Sequence, residues 1–450
     1  MAGITAGSRS LGARTPRGLR AVLAVVCVFV VVAGLAVLIE GSPLSPPLSV
    51  ASAPAVQLTA ADDDGGNVAF VMGGSGIPLP SEGYVNGADL LYLQPHGFTG
   101  TAQSLFTPEL YFPGNVSEVQ GAQILADAIE KEIAGGGVSA ENPVYVFGYS
   151  QSSAMSSMTM EQLHSQGVPA DDVHFVMVGN SANPNGGIVE MLNIWGGDVS
   201  FWSGLTLGHP TPDYFTTDVY TMEYDGFADF PRYPLNLLAD LNAIAGMFLL
   251  HDGYLGLSAD DIAHAIPLET TGDTLTNYYM IPTDTLPLLD ILRLNPVWGN
   301  PLADLLEPDM RILVNLGYGS ITEGWNQGPA NVPTAISFDL LPNDLNWGEL
   351  YTALVNGWSQ GVQAAIGDLQ DPSNYVLGSF LNEEPYSTLW NAAQRVFFND
   401  QDPTPFGGSA EATDSSDSSD FWSSLDSFVD SNPMLSSIAD ALGLDVVSLA

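Results

Sequence analysis

A short apolar segment that runs directly into a tight turn and then a helix constrains the fold of this chain most. Pro143-Val-Tyr-Val-Phe147 predicts a buried strand, and Gly148-Tyr-Ser-Gln-Ser152 follows it at once. A helical pattern then covers about residues 151–166. The turn has the form of the elbow G-x-S-x-G, in which small residues flank the serine because the helix packs close to the strand; Ser152 replaces the second glycine. The segment therefore predicts an α/β fold, with Ser150 as the candidate nucleophile.

Other apolar segments alternate with helical ones along the chain. Val68-Ala-Phe-Val-Met72 predicts a strand that ends at Gly73-Gly-Ser-Gly76, and two more strands are expected at residues 173–178 and 219–224. Ser117-x-x-Gln120 has the form of a capping box, which places a helix start at Ser117. Strands that are apolar throughout and alternate with helices indicate a mainly parallel sheet that is covered on both faces.

The alternation fades after about Gly319. Residues 346–369 predict one amphipathic helix, so we expect a mostly helical C-terminal extension over residues 320–399. One stripe of this helix carries Leu350, Leu354, Trp358, Val362 and Ile366. From Asp400 the composition turns to Asp, Ser, Gly and Thr, so residues 400–450 are interpreted as a solvated acidic linker with a terminal helix.

The N-terminus has the pattern of a membrane segment. Residues 21–39 contain no charge and no proline, and 19 helical residues span about the hydrocarbon thickness of a bilayer. Four arginines and no acidic residue precede them, which favours a cytoplasmic N-terminus and an exported body. We therefore expect a flank and transmembrane helix over residues 1–40 and a linker over 41–67. The alternative is a signal peptide cleaved near Ala51-Ser-Ala53, which would give a secreted protein.

The charge balance excludes one large class of function. The chain has 9 basic and 51 acidic residues, and four of the basic ones precede Glu40. Nucleic-acid binding needs clustered Lys and Arg, which the body lacks. The single cysteine excludes an internal disulfide and a zinc–thiolate cluster. Nothing in the sequence implies a metal or a cofactor.

A nucleophilic serine in this fold needs an acid and then a histidine later in the chain. The acid is expected just after a late strand, where Asp225 lies at the strand end and Asp229 lies in a G-x-x-D-x-P setting. We favour Asp229, with Asp225 as the alternative. Of the later histidines, His251 opens a glycine-containing loop and His264 lies on a short helical stretch. We favour His251 as the base.

The oxyanion of an ester intermediate needs donors near the nucleophile. The helix that follows Ser150 directs the Gln151 N–H toward that place, and the glycine-rich loop after the first strand can add Ser75 through its N–H or hydroxyl. The catalytic set predicted from the residues is therefore Ser150, Asp229 and His251, with Ser75 and Gln151 as oxyanion donors.

Several motifs in the same order resemble one known family, the PE-PPE domain of mycobacteria. They are Phe70 to Pro80, the GYSQS elbow, Val178 to Gly187, Tyr224 to Pro231, His251-x-x-Tyr254 and Pro282 to Leu289. The resemblance covers residues 68–319 and implies a cutinase-like serine α/β-hydrolase. It also implies the triad Ser150, Asp229 and His251, with Ser75 matching the oxyanion serine.

The membrane segment stands where members of this family carry a PE or PPE helical module. That architecture is similar to membrane-anchored mycobacterial acyltransferases of trehalose glycolipids. We therefore expect a single-pass, extracytoplasmic serine acyltransferase or esterase that acts on acylated glycolipids or other envelope lipid esters. The alternatives are a simple carboxylesterase or lipase, and a non-catalytic lipid-binding protein on the same fold.

Overall fold

A seven-stranded sheet forms the centre of the computed structural model, which describes residues 67–111, 114–191, 199–200, 206–207, 210–375 and 379–403. The strands are β1 (Val68–Val71), β2 (Thr101–Ser104), β3 (Val144–Tyr149), β4 (Val173–Val178), the short pair β5 (Val199–Ser200) and β6 (Thr206–Leu207), β7 (Thr216–Met222), β8 (Ile266–Pro267) and β9 (Thr276–Ile281). Their order in the large sheet is β2-β1-β3-β4-β7-β9-β8. Every pair in this sheet is parallel except β8 with β9, so the predicted mainly parallel α/β sheet is confirmed.

Ten α-helices occur in the described ranges. They are α1 (Glu82–Ala88), α2 (Gly114–Gly135), α3 (Gln151–Ser165), α4 (Ile188–Met191), α5 (Leu237–Leu249), α6 (Ala259–Ala263), α7 (Pro287–Arg293), α8 (Pro296–Asn315), α9 (Trp347–Gln370) and α10 (Tyr386–Phe397). Two 3-10 segments, Gln94–His96 and His251–Gly256, each carry one histidine.

The central strands are buried on both faces, as their unbroken apolar sequences predict. All six residues of β3 are buried, and two apolar clusters lie on the two sides of the sheet. Phe147 belongs to one cluster, whereas its neighbour Val146 belongs to the other. Because successive side chains of a strand point to opposite faces, this division shows that the sheet separates two layers of core.

The helix after β2 begins earlier than the sequence predicts. A start at Ser117 is wrong, because α2 begins at Gly114 and Ser117 therefore lies inside the first turn. The Ser117 hydroxyl accepts the Leu110 N–H (3.0 Å) and donates to the side-chain oxygen of Gln151 (2.8 Å). Its hydroxyl bonds a neighbouring loop and a neighbouring helix, so it does not cap its own helix.

The C-terminal extension packs on the same body. α9 approaches α8 most closely at Gly357 and Gly361, where an added Cβ would lie 2.2 Å from the Asp309 carboxylate and from the Leu305 carbonyl oxygen. The helix is confirmed, but only Leu350 of the predicted stripe is buried, whereas Trp358 and Ile366 are exposed. The two glycines allow the closest contact, so they set the packing face instead of the larger side chains.

α10 packs against the 3-10 segment His251–Gly256. Gly256 lies so close to this helix that an added Cβ would be 1.8 Å from the Thr388 carbonyl oxygen. The Asn391 side chain donates to the Gly256 carbonyl (3.4 Å), and the Ser81 hydroxyl before α1 donates to the Arg395 carbonyl (2.9 Å). A helix that lies beyond residue 319 thus supports the loop that carries His251.

No helix in the described ranges is both long and apolar enough to cross a membrane. The predicted membrane segment at residues 21–39 lies outside the described residues, as do the linker up to residue 66 and the acidic stretch from residue 404.

Candidate active site

Ser150 occupies the sharp turn between β3 and α3. Its backbone has φ 56° and ψ −114°, a strained conformation for a residue with a side chain that costs on the order of 1–3 kcal/mol. The Ser150 N–H donates to the Val178 carbonyl (3.0 Å), which holds the turn against β4. At Gly148 an added Cβ would lie 2.9 Å from the Ser156 hydroxyl, so the strand and helix pack as closely as the motif requires. The strained turn therefore presents the Ser150 hydroxyl at the carboxyl edge of the sheet.

A continuous chain of hydrogen bonds connects Ser150 to a buried carboxylate. His251 Nε2 lies 2.8 Å from Ser150 Oγ, and His251 Nδ1 lies 2.8 Å from Asp225 Oδ2. With the proton on Nδ1, the imidazole donates to Asp225 and accepts from the serine. This is the arrangement in which a histidine removes the serine proton and a carboxylate orients the ring.

Asp225 is fully buried and has a donor for each of its oxygens. Oδ2 accepts the Tyr254 hydroxyl (2.8 Å) as well as His251, and Oδ1 accepts the Phe227 N–H (3.0 Å). Tyr254 is fixed in turn because its hydroxyl accepts the Met222 N–H (2.9 Å) at the end of β7. These donors satisfy the hydrogen-bonding capacity of a carboxylate that is buried away from water.

His251 is only 6% exposed and is held on several sides. The Phe227 ring lies 4.5 Å from the imidazole, between centroids, and the Tyr149 hydroxyl donates to the His251 carbonyl. Gly179 has φ 57°, and an added Cβ there would be 2.9 Å from the imidazole, so only glycine fits. Burial acts to lower the pKa of His251, but the Asp225 carboxylate outweighs it, and the pKa is raised above its usual value. The ring is therefore positioned and basic enough to accept a proton.

The structure corrects the preference for Asp229 as the partner of His251. Tyr224 has φ 66°, and the Asp229 N–H donates to the Asp225 carbonyl (2.6 Å), so the chain coils through one turn directly after β7. This turn leaves Asp225 at the strand end and carries Asp229 away, where its Oδ2 accepts the Tyr224 N–H (3.1 Å). Burial raises the pKa of Asp229 well above its usual value. Asp229 therefore stabilises the turn, and Asp225 contacts the histidine.

Of the two histidines weighed as the base, only His251 lies beside Ser150. His264 follows α6 and is exposed, and its ring bonds the Asp260 backbone and side chain.

Ser75 and Gln151 also come together next to the nucleophile. An added Cβ on Gly74 would lie 3.5 Å from the Ser150 Cβ, so the glycine-rich loop passes directly over the serine. Gln151 is the first residue of α3, so its N–H has no acceptor within the helix. Its side chain donates to the Ser75 hydroxyl (3.3 Å) and to the Leu110 carbonyl (2.9 Å). This amide thus holds the loop that carries Ser75, with Ser117 bonded to its oxygen.

Sequence reasoning missed several residues that support the site. Tyr254 contacts Asp225, Phe227 and Gly179 contact the His251 ring, and Ser117 contacts Gln151. Tyr254, Phe227 and Gly179 lie within motifs that resemble the family, but those motifs do not indicate what each residue contacts. The contacts join elements that are distant in the chain, so no local pattern predicts them.

The segment that holds this arrangement is similar in sequence to known proteins. Residues 99–319 match the family model of the PE-PPE domain. Residues 99–319 therefore correspond to a PE-PPE domain. The matched range includes Ser150, Asp225 and His251, whereas β1 and the loop with Ser75 precede it. Since β1 lies between β2 and β3 in the sheet, the folded unit includes it.

The most informative relatives come from Mycobacterium tuberculosis. The chain is 42% identical to the uncharacterized PPE family protein PPE28 over 334 residues, which cover 71% of this chain and 48% of that one. It is 37% identical to the esterase PE16 over 286 residues, 60% of this chain and 51% of that one. A shorter stretch of 95 residues is 40% identical to the SL1278 acyltransferase Chp1, 19% of this chain and 22% of that one. The chain thus spans about half the length of the first two relatives.

Proposed function

We propose that this chain is a serine enzyme that cleaves acyl esters of lipids through an acyl-enzyme intermediate. One observation carries the proposal: the strained Ser150, the buried His251 and the buried Asp225 form an unbroken hydrogen-bonded chain at the carboxyl edge of the sheet. A serine in an ordinary strand–helix turn needs neither the strain nor a buried histidine. Two relatives, named as an esterase and as an acyltransferase, support the same reaction class.

Each side chain has a defined step in this mechanism. His251 Nε2 takes the Ser150 proton as Oγ attacks the acyl carbonyl carbon, and Asp225 stabilises the imidazolium through Nδ1. The Gln151 N–H and the Ser75 hydroxyl stabilise the negative charge on the carbonyl oxygen. His251 then gives the proton to the leaving alcohol, which departs as the carbon–oxygen bond breaks. A second hydroxyl, from water or from an acceptor alcohol, attacks the acyl-enzyme by the reverse sequence.

The surface beside the site supports a lipid substrate. Helix α5 leads directly into His251 and exposes Leu237, Leu241 and Ile244, at 69%, 51% and 44% of their surface. Apolar side chains on one stripe of a helix favour contact with an acyl chain or a lipid surface. The body is strongly acidic and is repelled by anionic head groups, so apolar contact is the attraction that remains.

The finer proposal is acyl transfer on trehalose glycolipids by a membrane-anchored enzyme. It rests on the sequence pattern of residues 21–39 and on the similarity to the acyltransferase relative. In this proposal the segment holds the protein as a single-pass membrane protein, and the catalytic body lies outside the cytoplasm. Hydrolysis is the same chemistry with water as the acceptor.

Fluorophosphonate labelling tests the reaction class. The full chain should form a covalent adduct, Ser150→Ala should abolish it, and Ser165→Ala, at the exposed end of α3, should label like the wild type. If the folded wild-type chain does not label, or the adduct remains in Ser150→Ala, the serine-enzyme proposal is wrong and the lipid-binding alternative gains support.

A second assay separates transfer from hydrolysis. The full chain is incubated with a diacylated trehalose in mixed micelles, and free fatty acid is measured against higher-acylated product by mass spectrometry. Transfer predicts that higher-acylated product dominates. Free acid alone would establish a hydrolase and reject the transferase proposal.

The anchor is tested on the protein made in a mycobacterial host. Carbonate-extracted membranes should retain the full chain, and its mass should include residues 1–50. A secreted chain that begins after Ala53 would instead show signal-peptide cleavage.

Substitutions on α5 test whether its exposed apolar side chains contact lipid. Leu241→Ser together with Ile244→Ser should reduce activity on a long-chain ester in vesicles at least about fivefold while leaving a soluble short-chain ester unaffected. Leu369→Ser, at an exposed leucine of α9, should leave both activities unchanged. Equal losses on both esters would contradict a lipid-docking role for α5.

A further inference from the structure

A second cluster of titratable side chains lies at the edge of the sheet opposite Ser150. His174 is the second residue of β4, Asp218 is the third residue of β7, and His96 ends the 3-10 segment before β2. Ser150, by contrast, follows the last residue of β3. Because these strands are parallel, their first residues and their last residues meet at opposite edges, so the cluster is separate from the proposed catalytic site.

The three side chains converge on one point. Asp218 Oδ2 lies 2.6 Å from His174 Nε2 and 3.0 Å from His96 Nδ1, and the three atoms all lie within 4.8 Å of one another. Ligand atoms around a tetrahedral Zn²⁺ lie about 3.3 Å apart, given metal–ligand bonds of about 2.0–2.1 Å. Side-chain movements that displace these atoms by about an ångström would therefore bring all three within bonding distance of one metal ion.

The donor set selects a class of metal. Two imidazole nitrogens and one carboxylate oxygen suit Zn²⁺, Co²⁺ and Ni²⁺, whereas Ca²⁺ and Mg²⁺ prefer an all-oxygen set. Neutral imidazoles and an ionised carboxylate are the forms that bind a metal.

Each of the three side chains is also held from behind. Asn277 donates to the free oxygen of Asp218 (3.0 Å), and the Tyr220 hydroxyl lies 2.8 Å from His96 Nε2. The Tyr145 ring stacks on His174 with centroids 4.8 Å apart, and its hydroxyl donates to the His96 carbonyl (2.8 Å). Outer contacts of this kind orient metal ligands and fix which ring nitrogen carries the proton.

A route from solvent reaches the cluster. A cavity of about 240 Å³ is lined by His174 and Tyr145, and its wall also carries Glu141 and Asp171. Two carboxylates at the wall of a cavity attract cations. The side chain of His174 is 12% exposed and that of His96 is 15% exposed, whereas that of Asp218 is 2% exposed.

We propose that His96, His174 and Asp218 form a binding site for a divalent transition metal, with Zn²⁺ as the preferred ion. Binding at His96 Nδ1 moves the ring proton to Nε2, where it donates to the Tyr220 hydroxyl, so that ring keeps one proton. His174 binds through Nε2 with its proton on Nδ1. The metal would connect the 3-10 segment before β2 to two central strands, and it would stabilise the folded state by an amount that grows with the logarithm of the free metal concentration above the Kd.

The test uses the full chain, stripped with a chelator and titrated with ZnCl₂ by calorimetry, with bound zinc measured by mass spectrometry. We expect one Zn²⁺ per chain. His174→Gln should weaken binding at least about tenfold, whereas His264→Gln, at the exposed histidine after α6, and Ser150→Ala should bind like the wild type. The second comparison separates this site from the proposed catalytic site.

Cobalt gives an independent signature of the ligands. Wild-type protein loaded with Co²⁺ should show the intense visible bands of a tetrahedral site with nitrogen ligands, and excess MgCl₂ should not displace the ion. If His174→Gln does not fold, His96→Gln replaces it, since His96 lies on a short turn, and the wild-type Co²⁺ spectrum is decisive on its own. Absence of those bands, absence of stoichiometric zinc, or equal binding by the histidine variants would overturn the proposal and leave a metal-free hydrogen-bonded network.

Discussion

Replacing Asp225 with asparagine tests the proposed triad most directly, because the structure shows what an amide would do there. Asp225 Oδ2 accepts His251 Nδ1–H and the Tyr254 hydroxyl, and Oδ1 accepts the Phe227 N–H. An amide has one oxygen for these three donors. If its NH₂ takes the place of Oδ2, it must donate to His251 Nδ1, which moves the ring proton to Nε2. The ring then cannot accept the Ser150 proton.

The other orientation of the amide is also unfavourable. Its NH₂ would then face the Phe227 N–H inside a buried site, which leaves two donors without an acceptor between them. We therefore expect the tautomer-inverting orientation, with a loss in kcat of about 10⁴-fold, as when the triad acid of a serine protease is converted to its amide. That loss corresponds to about 5.5 kcal/mol in the activation barrier.

Asp229→Asn is the matched control. Burial raises the pKa of Asp229 well above its usual value, so a neutral amide resembles its neutral carboxyl group and can still accept the Tyr224 N–H. We expect less than about a tenfold loss. Both variants are assayed for kcat on a soluble p-nitrophenyl ester, with the Tm recorded to show that each is folded. A larger loss in Asp229→Asn than in a folded Asp225→Asn would refute the assignment of Asp225.

Three further predictions follow from other parts of the structure. The pKa of His251 is raised, and the base must be neutral, so kcat/KM should rise with pH through an inflection above the usual histidine value of about 6.5; a lower inflection in the pH profile would contradict the pairing with Asp225. Gly256→Ala places a Cβ 1.8 Å from the Thr388 carbonyl oxygen, so it should lower the free energy of unfolding by about 1–3 kcal/mol in denaturant titrations and should also lower kcat. Gly367→Ala, where an added Cβ meets nothing within 4 Å, should lower neither quantity. Burial raises the pKa of Glu109 from 4.5 to about 8, so between pH 4.5 and pH 8 the native state holds a proton that the unfolded chain has lost, and stability falls as pH rises through that range. Glu109→Gln should therefore raise the Tm by a few degrees more at pH 8 than at pH 4. An equal gain at both pH values would argue against a buried neutral acid.

Local patterns in the sequence determined the parallel sheet and the strand–turn–helix element that carries the site. Apolar strands that alternate with helices indicate a parallel sheet, and the elbow around Ser150 is visible because its small residues and its flanking periodicity are adjacent in the chain. Chain order then limited the base to two histidines, of which only His251 lies at the serine.

Tertiary structure decided what chain order left open. Asp225 and Asp229 lie four residues apart after the same strand, and the left-handed backbone at Tyr224 together with the turn that follows determines which carboxylate meets His251. Likewise His96 and His174 precede the candidate acids in the sequence, so chain order excludes them as the catalytic base. Only the pairing of β4 with β7 and the packing of a distant 3-10 turn bring them to Asp218. The sequence therefore determined which elements form and which serine occupies the elbow, because those depend on near neighbours. Which acid orients the histidine, and whether two unused histidines share a carboxylate, depends on contacts between distant segments, and these exist only in the folded chain.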